Sequence, residues 1–269
     1  MAGFSNYAAI TAAINAGQKY RGEFTKTMPN TIAVQGRAYS MWNATGIPGA
    51  IATPATTGTV YTNSNNSGCV SFQPTTTQPK YLLRLGASSD TEGYAILYDR
   101  MVAYSGVSLA PGTTTLTAQT LPTRSTGTDV FAFMEVTTAL AGGTITVSAS
   151  YTNSAGTASR SSTGLATNTL QVNRWQPLPV QAGDMGVQSL QTFTIAGSGT
   201  TGTVNLVLAR QIATMSLIAD TWNERDLVLE MAAMPQIADD ASLFFTFMLS
   251  GSTTVTDVHI WGTMAVVFN

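Results

Sequence analysis

The apolar residues of this chain come in short runs, each interrupted by glycine, proline, serine or threonine. Eight of these runs have the length and the supply of β-branched and aromatic residues that are typical of strands. They are residues 81–85, 94–104, 130–137, 144–151, 190–195, 204–209, 242–249 and 258–268. Because helical periodicity is scarce between them, the pattern predicts a mainly β domain over residues 80–269, built as a β-sandwich or jelly roll.

Two local patterns refine that prediction. Residues 144–151 alternate between polar and apolar side chains, as a strand with one solvated face does. Residues 153–156 are suited to turning this strand back in a hairpin. Residues 226–234 are compatible with a short helix or with a strand, and the sequence leaves both open.

Residues 5–16 predict a short N-terminal helix. Ser5 is placed to accept a hydrogen bond from a free backbone N–H, alanine favours the helix, and Gly17 suits the left-handed residue that ends it. Ile10 and Ile14 lie four positions apart on a narrow apolar face. Since this face is small, we expect the helix to dock on a larger body.

An extended arm is predicted between the helix and the β domain. Residues 38–79 contain no charged residue, four prolines and many threonines and asparagines, which is too many breakers for a helix. Short strands are expected near residues 38–42 and 59–62. The predicted division is therefore a helix and arm over residues 1–79, followed by the β domain.

Charge is sparse throughout the chain. Charged residues make up 10% of the sequence, with 12 basic against 14 acidic side chains, compared with about 25% in an average soluble protein. A net charge of −2 argues against direct binding to nucleic acid, and the absence of an apolar run of about 18 residues argues against a membrane span. No basic residue precedes Lys19, so we expect no export signal and synthesis inside the cell.

The residues that most often act as nucleophiles or bases are almost absent. The single histidine, His259, shares a strand face with Asp257, but no nucleophile motif accompanies the pair, and we expect a hydrogen-bonded strand residue rather than a catalytic base. The single cysteine, Cys69, has no histidine or lysine near it in sequence. We expect it to behave as a small buried residue.

The carboxylates suggest a metal site or a hydrolase pair only weakly. Glu224, Asp226 and Glu230 would gather around a divalent cation if a helix aligned them, but a salt-bridging surface is the expected arrangement. Residues 239–240 follow a proline and are expected in a turn. A glycan hydrolase needs two carboxylates across a cleft, and candidates such as Glu135 and Glu230 cannot be paired from sequence.

The remaining motifs also favour structural roles. The tryptophans are candidates for stacking on sugars, but they lie far apart in sequence and core packing is the commoner role; they are Trp42, Trp175, Trp222 and Trp261. Residues 196–202 are glycine-rich but lack the lysine and helix of a phosphate loop. The sequence therefore predicts a protein that is not an enzyme, with no catalytic, cofactor-binding or metal-binding residue and no cofactor.

Three segments resemble structural proteins of tailed-bacteriophage virions. They are the opening MAGFSNYA at residues 1–8, the stretch LPVQAGDMGVQSL at residues 178–190, and HIWG at residues 259–262. The low-charge β pattern is similar as well. The resemblance implies a virion location and no catalytic residue, and it does not say which virion component this is.

Three classes of function follow. The first is a capsid decoration or cement protein that stabilises the head shell, with its arm spanning neighbouring subunits. The second is a tail, collar or baseplate component with receptor or glycan binding. The third is an enzyme such as a glycan hydrolase, which the motifs favour least.

The expected partners are other copies of the chain and the major capsid protein. Residues 1–37 carry four basic side chains against one acidic one, whereas residues 220–240 carry six acidic side chains against Arg225. This complementarity favours a homo-oligomer in which the N-terminal region of one subunit contacts the acidic segment of another. The trimer that we expect is implied by the phage resemblance.

Overall fold

The structure is a computed structural model that describes residues 4, 6–28, 33–49, 53–62, 68–70, 72, 79–168, 170–199, 201–228, 234–250 and 254–268. Of these residues, 58% lie in strands and 4% in a helix, which confirms the predicted mainly β class with a short N-terminal helix. No helix in the described part of the chain has the length and apolar character to cross a membrane.

The helix α1 spans Tyr7–Asn15. The strands within the described ranges are β1 (Lys19–Met28), β2 (Ala33–Val34), β3 (Ala38–Ser40), β4 (Thr45–Ile47), β5 (Thr59–Val60), β6 (Lys80–Ser89), β7 (Gly93–Ser108), β8 (Gly112–Thr115), β9 (Val130–Ala141), β10 (Ile145–Asn153), β11 (Arg160–Ser161), β12 (Leu165–Thr167), β13 (Arg174–Pro177), β14 (Val187–Gly197), β15 (Thr201–Leu217), β16 (Asn223–Asp226), β17 (Gln236–Ile237), β18 (Leu243–Leu249), β19 (Thr254–Val255) and β20 (Val258–Phe268). Each of the eight predicted runs lies on one of these strands, except that Thr144 and Ser242 come one residue before β10 and β18 begin.

These strands form three large antiparallel sheets. Sheet I has the order β16-β6-β20-β1-β4, with β17 also on β6. Sheet II has the order β15-β9-β13-β3-β18-β7, and it closes on itself because β7 also pairs with β15. Sheet III has the order β11-β10-β14-β8, with β12 also on β10. Strands β5 and β7 pair at the side of sheet II, and β2 pairs with β19.

Sheet II packs against both of the other sheets because its long strands change direction at bulges. On β15, Val204 and Leu208 pack into one cluster with sheet III, whereas Ala213 and Leu217 pack into another with sheet I. A register shift between Gln211 and Ala213 separates the two halves. A bulge inserts one residue and re-aims the side chains that follow it. One strand can therefore contribute to two cores.

The helix docks on its own chain. Asn6, rather than Ser5, accepts the capping hydrogen bond from the backbone N–H of Ala9 at 2.9 Å; Ser5 lies outside the described residues. Gly17 ends the helix with φ at +79°, as predicted. Ile10 is buried in the cluster between sheets I and II and α1 contacts β20, so the larger body is sheet I of the same chain.

Residues 1–79 contribute strands to the same sheets as the rest of the chain. Strand β1 lies between β20 and β4 in sheet I, and β3 lies between β13 and β18 in sheet II. The short strands expected near residues 38–42 and 59–62 are present as β3 and β5. The sequence did not predict β1, although its burial alternates along most of its length. Whether residues 80–269 form a separate folding unit stays a prediction.

The hairpin prediction is confirmed, but the ambiguous segment is only partly described. Strand β10 turns back through a bond from Gly156 N–H to the carbonyl of Asn153, at 2.9 Å, and pairs with β11. Strand β16 ends at Asp226, where the predicted helix or strand was expected to begin. Since residues 229–233 lie outside the described residues, that choice stays open.

Hydrogen bonds to Asp184 join this hairpin to residues 178–190, the segment that resembles phage proteins. Its carboxylate accepts hydrogen bonds from Arg160 Nε at 3.0 Å, Tyr151 Oη at 2.6 Å and Asn153 Nδ2 at 2.8 Å. The bond from Arg160, followed by those from Tyr151 and Asn153, lowers the pKa of Asp184 from 3.8 to about 2. Donors that bind the ionised form favour it over the protonated form.

Replacing Asp184 with asparagine is expected to lower the urea midpoint at pH 7 and to flatten its pH dependence. The folded pKa of Asp184, about 2, lies below its ordinary value. The carboxylate therefore stabilises the fold above about pH 4, and this contribution disappears as the pH falls through the folded pKa. Urea melts between pH 7 and pH 2 measure the effect. Glu92→Gln, at an exposed carboxylate, is the control, and equal behaviour of both variants would contradict the assignment.

Candidate functional site

One face of sheet I is built from outward-pointing side chains of β1, β20, β6 and β16. The pairing register places them in three rows across the strands: Thr25–Trp261–Ser88, Glu23–Thr263–Gly86–Glu224, and Arg21–Ala265–Arg84–Asp226. Residues on alternate positions of a strand share a face, so the rows lie on the same side of the sheet. We call these residues, together with Trp222, the outer face.

Two tryptophans meet on the outer face. Trp222 is 40% exposed and Trp261 is 54% exposed, and their ring centroids lie 5.2 Å apart at 39°. Trp222 lies directly over Gly86, since a Cβ atom added there would stand 2.5 Å from Trp222 Cζ2. The missing side chain at Gly86 thus lets the indole rest on the backbone of β6.

Grooves run along both sides of Trp222. One, of about 730 Å³, has Thr263 and Ala265 in its lining together with Arg21, Arg84 and Glu224. The other, of about 330 Å³, is lined by both tryptophans, Arg21, Glu23 and Ile47, among others. Both volumes fall in the range of small-molecule sites, which is about 300–1,000 Å³.

The acidic residues of β16 pair with a cation of their own sheet. Arg84 lies 3.3 Å from Glu224 and 3.5 Å from Asp226, measured between nitrogen and oxygen atoms. No group of three or more histidine, cysteine, aspartate or glutamate side chains that could hold a metal ion occurs among the described residues. Glu230, the third member of the suggested cation site, lies outside them. The salt-bridging arrangement is the one observed for Glu224 and Asp226.

The other acidic side chains near residue 240 are also paired within the chain. Asp239 pairs with the buried Lys80, and Asp240 lies 3.1 Å from Arg124. Both aspartates stand in the turn predicted at residues 239–240. These ion pairs within one subunit reduce the acidic charge that this segment offers to a neighbouring subunit. The expected charge complementarity between subunits therefore loses support.

His259 lies at the edge of the outer face. Its Nδ1 is 3.0 Å from Thr27 Oγ1, and its Nε2 is 3.9 Å from a carboxylate oxygen of Asp90. Asp257 precedes β20 and is exposed. The side chain of the histidine thus contacts Thr27 and Asp90, in agreement with the expected hydrogen-bonded strand residue.

Cys69 is half-buried and unbonded to another cysteine. Burial raises the pKa of its thiol, with backbone hydrogen bonds acting in the opposite direction. A raised pKa leaves little thiolate at neutral pH, and the thiolate is the reactive form. The structure therefore gives Cys69 the character of a packed side chain.

Glu135 lies inside sheet II, where its partners come from β3, β7 and β15. Both Glu135 and Arg100 have fully buried side chains, and their two bonds measure 3.2 Å and 3.0 Å. Ser40 and Asn205 donate to the same carboxylate at 2.5 Å and 2.9 Å. A fully paired, buried carboxylate of this kind cannot reach a polysaccharide, so Glu135 is not the glycosidase acid that the sequence left open.

The core-packing expectation is correct for two tryptophans and wrong for the other two. Trp42 and Trp175 are buried inside sheet II, where Trp175 stacks on Phe133 at 4.4 Å and Arg100 lies 4.3 Å from the Trp42 ring centroid. Trp222 and Trp261 are far apart in sequence but come together because β16 and β20 flank β6. Trp261, Thr263 and Ala265 stand at alternate positions of β20. This alternation was the sequence signal that could have placed Trp261 on an outward face.

Comparisons with known proteins leave the family open. No family model matches the chain, and no curated protein matches it. The structure of infectious bursal disease virus Gt strain is similar at 10% identity and a TM-score of 0.19, over 94% of this chain and 82% of that one. The VP2 subviral particle of the same virus gives 7% identity and a TM-score of 0.22, over 93% and 81%. TM-scores this low do not establish a common fold, and they carry no argument about function.

Proposed function

We propose that this chain is a non-enzymatic structural protein of a bacteriophage virion, bound to the head shell as a decoration or cement protein. The resemblance of residues 1–8, 178–190 and 259–262 to phage structural proteins supports the virion location. The observation that supports the structural role is the placement of the few charged side chains, several of which lie inside the molecule.

Among the residues that the structure describes, five charged ones are buried; they are Lys26, Lys80, Asp99, Arg100 and Glu135. The side chain of Arg124 is only 3% exposed, where it binds the buried Asp99. Since only 26 residues of 269 are charged at all, the surface consists largely of small, neutral polar side chains. Such a surface packs against a neighbour without stripping water from ions, and interface cores are depleted of charge.

In this proposal the protein assembles with copies of itself, most simply as a trimer, and contacts the major capsid protein. The exposed side of α1, which includes the 46% exposed Tyr7, is the proposed contact. The trimer rests on the phage resemblance and on the low-charge surface. Sedimentation equilibrium of the intact protein tests it, and a monomer both in solution and on the particle would contradict it.

A tail, collar or baseplate location is the alternative, and the outer face favours it. An exposed tryptophan pair beside a groove suits a receptor-binding component better than a shell protein. Negative-stain imaging of virions treated with an antibody to this chain separates the two. Labelled heads are expected, labelled tails would support the alternative, and unlabelled virions would overturn both.

The absence of enzymatic activity is part of the same proposal. Purified protein is expected to release no reducing sugar from cell-wall or capsular polysaccharide, because Glu135 is sequestered and His259 is bonded to Thr27. Release of sugar that Asp257→Asn abolishes, with the fold intact, would contradict the proposal.

A further inference from the structure

We infer that the outer face of sheet I binds a neutral polysaccharide, with a sugar ring stacked on the Trp222–Trp261 pair. This inference goes beyond the proposed virion role, and its test with purified protein does not depend on a head or a tail location. The first observation is the pair itself. Large aromatic side chains exposed together are unusual on a soluble surface, and they mark binding sites.

The indole ring of Trp222 is held in place from below by the backbone of β6. Gly86 has no side chain, so the indole lies on the backbone of β6, and Trp261 stands 5.2 Å away on β20. The flat face of a fixed indole ring matches the face of a pyranose ring, whose C–H groups point in one direction while its hydroxyls point outward. Tryptophan also loses little conformational entropy on binding, since few of its torsions rotate.

The surroundings of the pair provide hydrogen-bonding groups along a trough. Thr263 and Ala265 are small and lie on the central strand β20, whereas Arg21 on β1 and Arg84 on β6 are the longer cross-strand neighbours of Ala265. Glu224 lines the same groove. Guanidinium and carboxylate groups each present two atoms side by side, which suits the adjacent hydroxyls of a sugar.

The charge balance of the face selects a neutral ligand. Three cations, Lys19, Arg21 and Arg84, stand against three carboxylates, Glu23, Glu224 and Asp226. A polyanion such as nucleic acid needs an excess of positive charge, which this face lacks.

Affinity electrophoresis of the intact protein in native gels tests the inference. Gels that contain dextran, mannan, galactan or β-1,3-glucan are compared with a gel that contains no polysaccharide. Retardation is expected in at least one neutral polysaccharide. Trp222→Ala and Trp261→Ala are each expected to weaken binding by at least about tenfold. Met185→Ala removes a 64% exposed side chain outside this face and is the matched control.

Gly86→Ala tests the support of Trp222 by β6 while both indoles remain. The new methyl group would meet the far end of Trp222, which must move, and binding is expected to weaken although the thermal midpoint stays close to that of the unchanged protein. Acrylamide quenching provides a second measurement. Because Trp42 and Trp175 are buried, quenching reports on the exposed pair, and bound polysaccharide is expected to reduce it.

Several results would overturn the inference. They are no retardation by any of the four polysaccharides, retardation that Trp222→Ala and Trp261→Ala leave unchanged, and binding confined to heparin or another polyanion. A change in sedimentation caused by Trp261→Ala would instead identify the pair as a contact between copies. Virion labelling is measured separately, so a failure here leaves the proposed location untouched.

Discussion

Glu135→Gln is expected to reduce the free energy of unfolding by about 3–5 kcal/mol, as measured by urea denaturation at pH 7. Glutamine retains the shape of the side chain but removes its charge. The guanidinium of Arg100, whose side chain is fully buried, is then left without its anion. A buried charge without a partner loses its hydration and gains no compensating attraction, which is why breaking such a pair costs more than the pair contributes.

The surrounding contacts make relaxation difficult. Arg100 lies between the Glu135 carboxylate and the ring of Trp42, at 4.3 Å from the ring centroid, so it has no route to water without disturbing the aromatic cluster. Ser40 and Asn205 also donate to Glu135 and would lose a charged acceptor. Hydrogen bonds to charged groups contribute about 1.5–3 kcal/mol, more than neutral ones.

Two variants complete this test. Glu92→Gln, at an exposed carboxylate, is expected to change stability by less than about 0.5 kcal/mol. The double variant Arg100→Met with Glu135→Leu removes both charges and is expected to recover much of the loss, since apolar replacements of buried pairs are often tolerated. If Glu135→Gln were as mild as Glu92→Gln, the ion pair would not support the fold as described.

The same pair predicts a dependence on pH. Burial alone raises the pKa of Glu135, but the Arg100 charge and the hydrogen bonds from Arg100, Ser40 and Asn205 outweigh it and leave the pKa below its ordinary value. A depressed pKa stabilises the fold above the unfolded-state value, about 4.3 for glutamate, and this contribution is lost as pH falls through the folded value. Glu135→Gln is therefore expected to show a flatter acid limb in urea melts.

The strands of sheet II were predictable because they carry strong local signals. Residues 94–104 and 204–209 are dense in apolar and β-branched residues, and burial on both faces explains why they do not alternate. Strand β1 was missed because it alternates polar and apolar residues among lysines, threonines and a glycine, which lowers its apparent hydrophobicity. Its partner β20 lies more than 200 positions away, beyond the reach of local patterns.

The outer face was unpredictable for a related reason. Trp222 and Trp261 are close because β6 brings β16 and β20 together, and nothing in the local sequence around either residue indicates that neighbour. Likewise, the partner of Glu135 is Arg100 on another strand. Because the local sequence does not indicate this partner, Glu135 was a candidate catalytic carboxylate, whereas in the structure it forms a buried ion pair. Local patterns predict elements, whereas sites depend on which elements become neighbours.

Truncation of the N-terminus is expected to have two distinct outcomes. Removing residues 1–17 deletes α1, which contributes Ile10 and Ala13 to the core, and is expected to leave a folded but less stable β protein. Removing residues 1–28 also deletes β1, which pairs with β20 at ten positions, and is expected to abolish cooperative unfolding. Near-UV circular dichroism and urea melts distinguish the two.

The importance of β1 for the fold can also be tested by a single substitution, without shortening the chain. Phe24 is 3% exposed and stacks on Phe245 at 4.3 Å, which joins sheet I to sheet II. Phe24→Ala is expected to cost about 3–5 kcal/mol of stability, because it removes buried surface and leaves a cavity. Tyr7→Ala, at an exposed aromatic side chain, is the control.

These outcomes decide how attachment to the virion has to be tested. Deleting residues 1–37 removes β1 as well as the helix, so a loss of particle binding would report an unfolded protein rather than a missing contact. Deleting residues 1–17 keeps every strand of sheet I and removes the exposed surface of α1. If this shorter truncation unfolds cooperatively but no longer binds particles, attachment runs through the helix. Full binding by the same protein would place attachment elsewhere and contradict the proposed contact.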